Sequence, residues 1–101
     1  MVTMLFDFNK EKAEQYGYNL NEVISEIRSY FKENGACETK YLFFELEGED
    51  AMCIALSYIV KKTEKDPDFI QIMNKCIADI DGEKEDCIKE LFEWNQDKGI
   101  A

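Results

Sequence analysis

Two kinds of segment alternate along this chain. Short apolar runs contain β-branched and aromatic residues, and between them lie longer segments whose apolar residues recur every three or four positions. The short runs cannot form helices that bury a face, so they predict strands, whereas the longer repeats predict amphipathic helices. The predicted strands are 2–8, 37–47 and 76–80, and the predicted helices are about 19–34, 51–64, a short one after Pro67, and 83–95. The order β-α-β-α-(short α)-β-α predicts an α+β domain in which a small open sheet is backed by helices.

Capping and turn residues set the predicted boundaries. Asn19 or Asn21 caps the first long helix, and Gly35 supplies the left-handed residue that ends it. The run Asp-Pro-Asp at 66–68 predicts a helix start, because Asp caps the free amides and Pro needs no amide partner at the first position. The Asp-Gly pair at 81–82 predicts a turn before the last helix.

Two segments carry mixed signals. The charged segment 9–17 predicts a loop or a frayed turn before the first long helix. Within 70–80 a helical face and a strand-like alternation are both present, so the point at which helix gives way to strand stays open.

The length and composition suit a single domain. A chain of 101 residues builds one hydrophobic core. Hydrophobic residues make up 46% and aromatic residues 13% of it, which is too much apolar material for a disordered acidic tail. We therefore expect one folded domain over 1–95, followed by a flexible C-terminal tail over 96–101.

The chain is strongly acidic. It contains 22 Asp and Glu against 12 Lys and Arg, which gives a formal net charge of -10 spread along the sequence. A surface of this charge repels phosphate backbones. Direct, non-specific binding of nucleic acid is therefore not expected.

The cysteines occupy isolated positions, with no CxxC pair and no histidine in the chain. They are Cys37, Cys53, Cys76 and Cys87. A zinc site would need all four thiolates, so buried free thiols are the simpler interpretation. The N-terminus has no basic segment followed by an apolar run, and no apolar stretch approaches the ~20 residues of a membrane span. These features predict a cytoplasmic protein with reduced cysteines and no membrane association.

Four carboxylates concentrate after the centre of the second predicted strand: Glu45, Glu47, Glu49 and Asp50. They could hold a divalent cation, or imitate phosphates and occupy a basic groove on another protein. A solvated corner that keeps the protein soluble is the third interpretation. No glycine-rich phosphate loop and no nucleophile–base pair is present, so nucleotide hydrolysis and acyl transfer have no local support.

Trp94 is a candidate contact residue in the last predicted helix. It lies off the apolar stripe that holds Ile88, Leu91 and Phe92. Buried aromatic side chains dominate the energetics of interfaces. We therefore expect Trp94 to contact a second subunit or another partner.

A series of short motifs follows the predicted elements. Phe-Asp-Phe at 6–8 ends the first strand, Tyr-Gly-Tyr-Asn at 16–19 precedes the first long helix, and Gly35 closes that helix. The segment 41–45 and the Glu-Asp pair at 49–50 then mark the second strand and the start of the next helix. In layout and spacing these motifs resemble the virulence-associated protein D (VapD) family, small ferredoxin-like proteins related in fold to the Cas2 nucleases.

The resemblance covers roughly residues 4–86 and implies a ferredoxin-like fold, a homodimer and a metal-dependent endoribonuclease, sometimes the toxin of a toxin–antitoxin pair. One functional residue carries over, Asp7, which would form half of a dimer-related carboxylate pair that binds Mg²⁺ and positions water for attack on phosphate. Where family members have a Gln-Gly-Ser run entering the second strand, this sequence has Lys-Tyr-Leu at 40–42. The other interpretation of Asp7 is a carboxylate that caps a loop amide or faces water without a metal.

Two functions from different classes follow from these features. The first is a non-catalytic acidic interaction protein that binds a basic, nucleic-acid-handling protein, as an antitoxin or a phage-type inhibitor does. The second is the endoribonuclease, with Asp7 from two subunits and Mg²⁺. The net charge favours the first function, on the same ferredoxin-like fold.

Overall fold

The chain folds into one five-stranded sheet with helices packed on one of its faces. The computed structural model describes residues 1–97, except for the side chains of residues 92 and 94–97. The elements are β1 (Val2–Phe8), α1 (Lys10–Gln15), α2 (Leu20–Glu33), β2 (Cys37–Lys40), β3 (Phe43–Leu46), α3 (Ala51–Lys65), a 3₁₀ helix (Pro67–Ile72), β4 (Met73–Ile80), β5 (Glu83–Asp86) and α4 (Cys87–Asp97). Among residues 1–97, no helix combines the length and apolar character that crossing a bilayer requires.

The strands lie in the order β2-β3-β1-β4-β5, and every neighbouring pair is antiparallel. Strands β1 and β2 therefore run parallel on either side of β3, and β3 and β4 run parallel on either side of β1. This interleaving of two β-α-β units is the ferredoxin-like arrangement, to which β5 adds a strand outside β4. The predicted α+β, ferredoxin-like fold class is confirmed.

The side chains of β1 alternate between the two faces of the sheet. Val2, Met4 and Phe6 are buried beneath the helices, whereas Leu5 is half-buried and Asp7 is exposed. We call the sheet surface opposite the helices the open face. Leu5 and Asp7 belong to it.

An aromatic cluster joins α2 to the two central strands. Phe31 of α2 stacks on Phe44 of β3 with the ring centroids 4.6 Å apart, and Phe6 of β1 lies 5.9 and 6.2 Å from these two rings. All three side chains are at most 2% exposed. Such aromatic pairs contribute about 0.5–1.5 kcal/mol each beyond their area burial. The cluster therefore fixes α2 across the sheet.

Several predicted boundaries agree with the structure. Strand β1 has the predicted limits, and Asn19 caps α2, because its side chain accepts a hydrogen bond from the Glu22 N–H at 3.3 Å. Gly35 has φ +86 just after α2 ends. A short helix follows the end of α3 and begins at Pro67, as predicted.

The prediction of a single strand over 37–47 is wrong, because this segment is a hairpin of β2 and β3. Leu42 in its turn has φ +53, a left-handed conformation that a bulky residue adopts only when its surroundings impose it. Its N–H donates to Glu38 Oε2 at 2.9 Å, and its carbonyl accepts a hydrogen bond from the Phe6 N–H at 3.0 Å. The turn, Tyr41-Leu42, contains none of the residues that identify turns in a sequence, so the pattern looked like one continuous strand.

The predicted helix 83–95 also differs from the structure. The chain first forms β5, and α4 begins only at Cys87. The Asp-Gly pair 81–82 has φ +53 and +93, which are typical of the two-residue turns that match the twist of a hairpin. The Asp86 carboxylate then accepts hydrogen bonds from the backbone N–H groups of Ile88 and Lys89, in the first turn of α4, at 3.1 and 3.3 Å.

The two segments with mixed signals are now defined. Residues 9–17, predicted as a loop or frayed turn, contain the short helix α1, whose N-cap Asn9 accepts a hydrogen bond from the Lys12 N–H at 3.0 Å. Within 70–80, the 3₁₀ helix gives way to β4 at Met73. Helix α4 extends to Asp97, and the remainder of the predicted tail, 98–101, lies outside the described residues.

All four cysteines are free. Cys76 and Cys87 are buried, as predicted. Cys37 and Cys53 are exposed, so for these two the prediction of burial is wrong.

A partly buried hydrogen bond joins the segment before α2 to the end of α3. The Tyr18 hydroxyl donates to the Asp66 carboxylate, and the Tyr18 ring packs edge-on against Phe69 with the centroids 6.3 Å apart. Burial, and then this hydrogen bond and the charge of Asp66, raise the pKa of Tyr18. Asp66 makes no side-chain cap for the 3₁₀ helix. The carboxylate that predicted a cap instead holds two distant segments together.

Replacing Tyr18 by Phe removes the hydroxyl and leaves Asp66 without its donor. We expect the free energy of unfolding at pH 7 to fall by about 1.5 kcal/mol, as for other hydrogen bonds to charged groups. The pKa of Tyr18 is raised above its usual 10.0 in the folded state, so this contribution is complete below pH 10.0 and is lost from the wild type as pH rises further. Urea unfolding measures the difference.

Tyr16→Phe is the matched control, because Tyr16 lies in the same segment and is exposed. Its free energy of unfolding should change by less than about 0.5 kcal/mol. Equal losses in both variants would contradict a specific role for the Tyr18 hydroxyl.

Candidate functional site

One end of the sheet is lined with carboxylates. At this end β3 and β4 finish and β1 and β5 begin, because Val2 pairs with both Leu46 and Ile80. The next pair outward joins Ile80 to the first residue of β5. We call this end of the sheet the acidic rim. Its carboxylates are Glu45, Glu47, Glu49, Asp50, Asp79, Asp81 and Glu83.

All four carboxylates predicted as a corner belong to the acidic rim. Glu45 is half-exposed near the end of β3, and Glu47, Glu49 and Asp50 are exposed between β3 and α3. The other three come from the β4–β5 hairpin, which lies much later in the sequence, and the sequence analysis missed them. The Asp-Gly pair at 81–82 was the available signal, since a hairpin there returns the chain beside the end of β4.

The Met1 amino group lies among carboxylates from both parts of the acidic rim, the β3–α3 loop and the β4–β5 hairpin. The Met1 amino group lies 3.0 Å from Asp81 Oδ1. This hydrogen bond and the charge of Asp81 raise the pKa of the amino group, and the charges of Glu47 and Asp79 add to the effect. Lys84 lies opposite Asp79 in the β4–β5 pair. The carboxylates outnumber these two positive groups, so the rim as a whole attracts cationic groups.

The rim carboxylates are spread along the sheet rather than gathered round one point. In the described part of the chain, no group of three or more Cys, Asp or Glu side chains is arranged to hold a metal ion. The rim therefore presents a negative surface suited to basic side chains.

Asp7 lies towards the opposite end of β1. It is exposed on the open face and lies across from Lys75 of β4. At ~3.3 Å per residue, it is about 13 Å along the strand from Thr3, the residue that pairs with Glu45. The structure does not bring Asp7 and the acidic rim together.

The open face carries an apolar row beside Asp7. Leu5 pairs with Phe43 on one side and with Ile77 on the other, and all three side chains are half-buried. At the β2 end of the row, the Lys40 ammonium lies 5.8 Å from the centre of the Phe43 ring. At the β5 end, Asp86 lies opposite Ile77. The row is therefore apolar in the middle and oppositely charged at its two ends.

A cleft of about 650 Å³ lies on the other side of the sheet, between α2 and the β2–β3 hairpin. Arg28 of α2 donates through Nε and Nη2 to Glu38 Oε1 and Oε2 at 2.9 and 3.1 Å. Its guanidinium lies 5.4 Å from the centre of the Tyr41 ring. The hydrogen bond from Arg28, helped by the Leu42 N–H, lowers the pKa of Glu38. Glu38 thus ties α2 to the left-handed turn.

The network in this cleft is structural. Both oxygens of Glu38 already accept hydrogen bonds, and they hold the hairpin against α2. The Arg28–Glu38 pair was not predicted from the sequence. The available signal was Arg28 itself, the one arginine in the chain. The side chain of Trp94, the predicted contact residue of α4, lies outside what the structure describes.

Comparisons with protein-family models, with curated proteins and with solved structures find no match for this chain. The resemblance to the VapD family therefore rests on the order of its motifs and stays a prediction.

Glu38→Gln tests the link between α2 and the hairpin turn. We expect a lower urea midpoint for the variant at pH 7, because the charged partner of Arg28 is lost. The pKa of Glu38 is lowered from its usual 4.5 in the folded state, so its contribution is present above pH 4.5 and is lost as pH falls through the lower, folded value. The difference in urea midpoint between wild type and Glu38→Gln should therefore disappear in acid.

Glu33→Gln is the control for this measurement, because Glu33 is an exposed glutamate at the end of the same helix. It should show no such pH-dependent gap. A Glu38→Gln effect that persists unchanged in acid would contradict the role of the charge.

Proposed function

We propose that this chain is a non-catalytic acidic interaction protein whose rim binds a basic, nucleic-acid-handling protein, as an antitoxin or a phage-type inhibitor does. The observation that carries the proposal is that carboxylates from two separate segments, the end of β3 with the loop after it and the β4–β5 hairpin, converge on one end of a single sheet. Because the sheet holds three of these carboxylates, Glu45, Asp79 and Glu83, in place before a partner arrives, less conformational entropy is lost on binding than for carboxylates in a disordered segment.

The charge density of the acidic rim supports this proposal. Four neighbouring strands, β3, β1, β4 and β5, form the rim, and at ~4.8 Å between strands they extend about 14 Å. Duplex DNA carries one negative charge per ~1.7 Å of its axis, or about eight over that length. The seven rim carboxylates are of the same order. A channel built for phosphates would meet a similar charge on this surface.

The distribution of positive charge also favours the rim as the leading surface. Helix α3 starts beside the rim at Ala51 and ends with Lys61, Lys62 and Lys65 in its last turns. Its 15 residues, at 1.5 Å each, place those lysines about 20 Å away. Glu64, Asp66 and Asp68 lie beside these lysines and Glu26 pairs with Lys62, so positive charge there is compensated, whereas carboxylates are in excess on the rim; this contrast orients the molecule as it approaches a basic partner and accelerates association at low salt.

Charge reversal on the rim is the direct test. The variant carries Glu47→Lys, Glu49→Lys and Asp50→Lys, all at exposed positions. We expect it to bind a basic partner at least about tenfold more weakly than wild type, with a shallower dependence on salt. Biolayer interferometry against a panel of purified polymerases, nucleases and helicases measures both quantities, and competing RNA or DNA should displace the wild-type protein.

A control variant makes the same change of total charge at the other end of the molecule. It carries Glu11→Lys, Glu14→Lys and Glu64→Lys, on α1 and at the end of α3. Equal weakening in the two variants would show that net charge alone governs binding. Wild-type binding that nucleic acid fails to displace would exclude the mimicry mechanism.

A second candidate, the metal-dependent endoribonuclease, is favoured by the position of Asp7. Asp7 is exposed on the open face, two residues along the central strand from Leu5. Two copies packed by their open faces, about a two-fold axis parallel to β1, would bring the two Asp7 carboxylates together. The same axis would place Lys40 of one copy over Asp86 of the other, at the ends of the apolar row.

This homodimer arrangement would supply two carboxylate ligands for Mg²⁺, one Asp7 from each copy. Mg²⁺ at phosphate-processing sites is held by one or two carboxylates with waters and substrate phosphates, so a pair of Asp7 side chains fits its requirements. Bound there, Mg²⁺ would neutralise charge on the attacked phosphate. The same axis would bring Glu45 and Asp79 of the two copies face to face, and these like charges oppose the association. The endoribonuclease is therefore the second candidate.

RNA cleavage with Mg²⁺ or Mn²⁺ tests this alternative. If the chain is an endoribonuclease, Asp7→Asn should reduce the cleavage rate about 100-fold or more, because a metal ligand is lost. Asp79→Asn, on the same face but near the rim, should cleave at least as fast as wild type, because it removes no metal ligand and lessens the repulsion between Glu45 and Asp79 of the two copies. Light scattering should give a dimeric mass that Leu5→Lys converts to a monomer.

A monomeric wild-type protein, or cleavage that survives Asp7→Asn, would contradict the shared site. Absence of cleavage by the wild type would leave the acidic rim as the functional surface. Both candidates act on partners found in the cytoplasm, which is the location that the sequence predicts.

A further inference from the structure

Cys76 and Cys87 lie one position beyond the last pair of the β4–β5 ladder, Cys76 within β4 and Cys87 at the start of α4. Ile77 pairs with Asp86, so the next opposed positions in this antiparallel register are Cys76 and Cys87. Opposed residues in an antiparallel ladder have Cα atoms about 4.5–5.5 Å apart. Disulfides span Cα separations of about 4.4–6.8 Å. Continuation of this register by one residue, into the first residue of α4, would give the separation that a bond between these two residues needs.

Both thiols point to the helix-covered side of the sheet. Cys76 pairs with Phe6, whose side chain lies in the core, and the two cysteines are 0% and 1% exposed. Hydrogen bonding between the two thiols raises the pKa of Cys76, as burial also does, and lowers the pKa of Cys87. The Ala78 N–H further favours the Cys87 thiolate. Cys87 also lines a surface groove, whereas Cys76 does not, so Cys87 is the thiol that an oxidant would reach first.

A groove gives small molecules a path to this pair. It lies between α3 and α4, has a volume of about 230 Å³, and is lined by Leu56, Ile59, Val60, Leu91, Cys87 and the charged Glu90, which opposes ionisation of Cys87. Its walls are mainly apolar, and a peroxide is much smaller than the groove. Cys87 lies at the wall of this groove but is only 1% exposed, so a peroxide in the groove would need a side-chain movement of the wall, but no opening of the sheet, to reach its sulfur.

We propose that Cys76 and Cys87 form a peroxide-sensitive thiol pair that closes reversibly to an intramolecular disulfide. The Cys87 thiolate attacks one oxygen of hydrogen peroxide, which breaks the O–O bond, forms a sulfenic acid and releases hydroxide. The Cys76 sulfur then displaces the hydroxyl from the Cys87 sulfur, and the Cys76 proton leaves with it as water. The two thiols lose two electrons in total, and one peroxide is reduced to two waters. A dithiol such as dithiothreitol reverses the bond by exchange.

The disulfide would tie the first residue of α4 to the middle of β4. It closes a loop of about a dozen residues that contains the β4–β5 turn, including Asp81 of the acidic rim. Closing this loop restricts the unfolded chain and holds α4 against the sheet. The oxidised protein should therefore be more resistant to unfolding than the reduced one.

The test uses a protein in which the two exposed cysteines are replaced, Cys37→Ser and Cys53→Ser, so that the pair alone remains. Treatment with hydrogen peroxide should remove two hydrogens from the intact mass, and peptide mapping without reductant should find Cys76 linked to Cys87. The thermal midpoint should rise by roughly 10 °C and return after dithiothreitol. Thiols that stay unmodified, sulfinic acids, or disulfides between molecules would each overturn the proposal.

Single replacements separate the two roles. In the same background, Cys76→Ser should accumulate a Cys87 sulfenic acid that dimedone traps, whereas Cys87→Ser should react much more slowly at Cys76. Equal reactivity of the two remaining cysteines would overturn the division of roles. The mapping of the intact pair does not depend on these variants, so it decides the proposal even if a single variant folds poorly.

Discussion

Strand β1 is hydrogen-bonded on both of its sides, to β3 through Val2–Leu5 and to β4 through Val2–Phe8. Its alternating side chains therefore decide which surface of the sheet becomes core and which stays free. A shift of one residue would move Leu5 and Asp7 under the helices and turn Phe6 outwards. The cost of burying the unpaired Asp7 carboxylate and of exposing an aromatic ring sets the register. The acidic rim and the open face both follow from that register.

The β2–β3 hairpin depends on β1 as well. The carbonyl of Leu42 accepts a hydrogen bond from β1, and the N–H of Leu42 donates to Glu38, which also binds Arg28 of α2. The carbonyl and N–H of Leu42 thus link the hairpin turn to β1 and, through Glu38, to α2. This explains how a bulky side chain is kept in a left-handed conformation. Glu45 and its neighbours reach the acidic rim because this hairpin is held in place.

Much of the fold could be predicted because its signals are local. The alternation in Val2–Phe8 and the cap–glycine pair of α2 each determine structure within a few residues. The turn at Leu42 could not be predicted, since its conformation is imposed by hydrogen bonds to β1 and Glu38. The β4–β5 hairpin has a local signal in its Asp-Gly turn, but the many charged residues after this turn are also typical of an exposed helix.

The candidate surfaces were predictable to different extents. The corner at 45–50 is visible as a run of carboxylates, whereas its extension by Asp79, Asp81 and Glu83 depends on which strands are neighbours. Strand order is a long-range property that no local pattern contains. The opposition of Cys76 and Cys87 depends on pairing register in the same way, which is why the spacing of the cysteines revealed nothing of it.

The two outer strands also determine how this protein can associate. β2 and β5 are four residues each, and β5 consists entirely of charged residues, Glu83-Lys84-Glu85-Asp86. Outer strands leave unpaired backbone groups that can recruit further chains, and charged side chains on short strands are a common protection against this. Growth of the sheet sideways into fibrils is therefore disfavoured at the β5 side even at high concentration. A protein that must stay dispersed until it meets its partner would benefit from this protection.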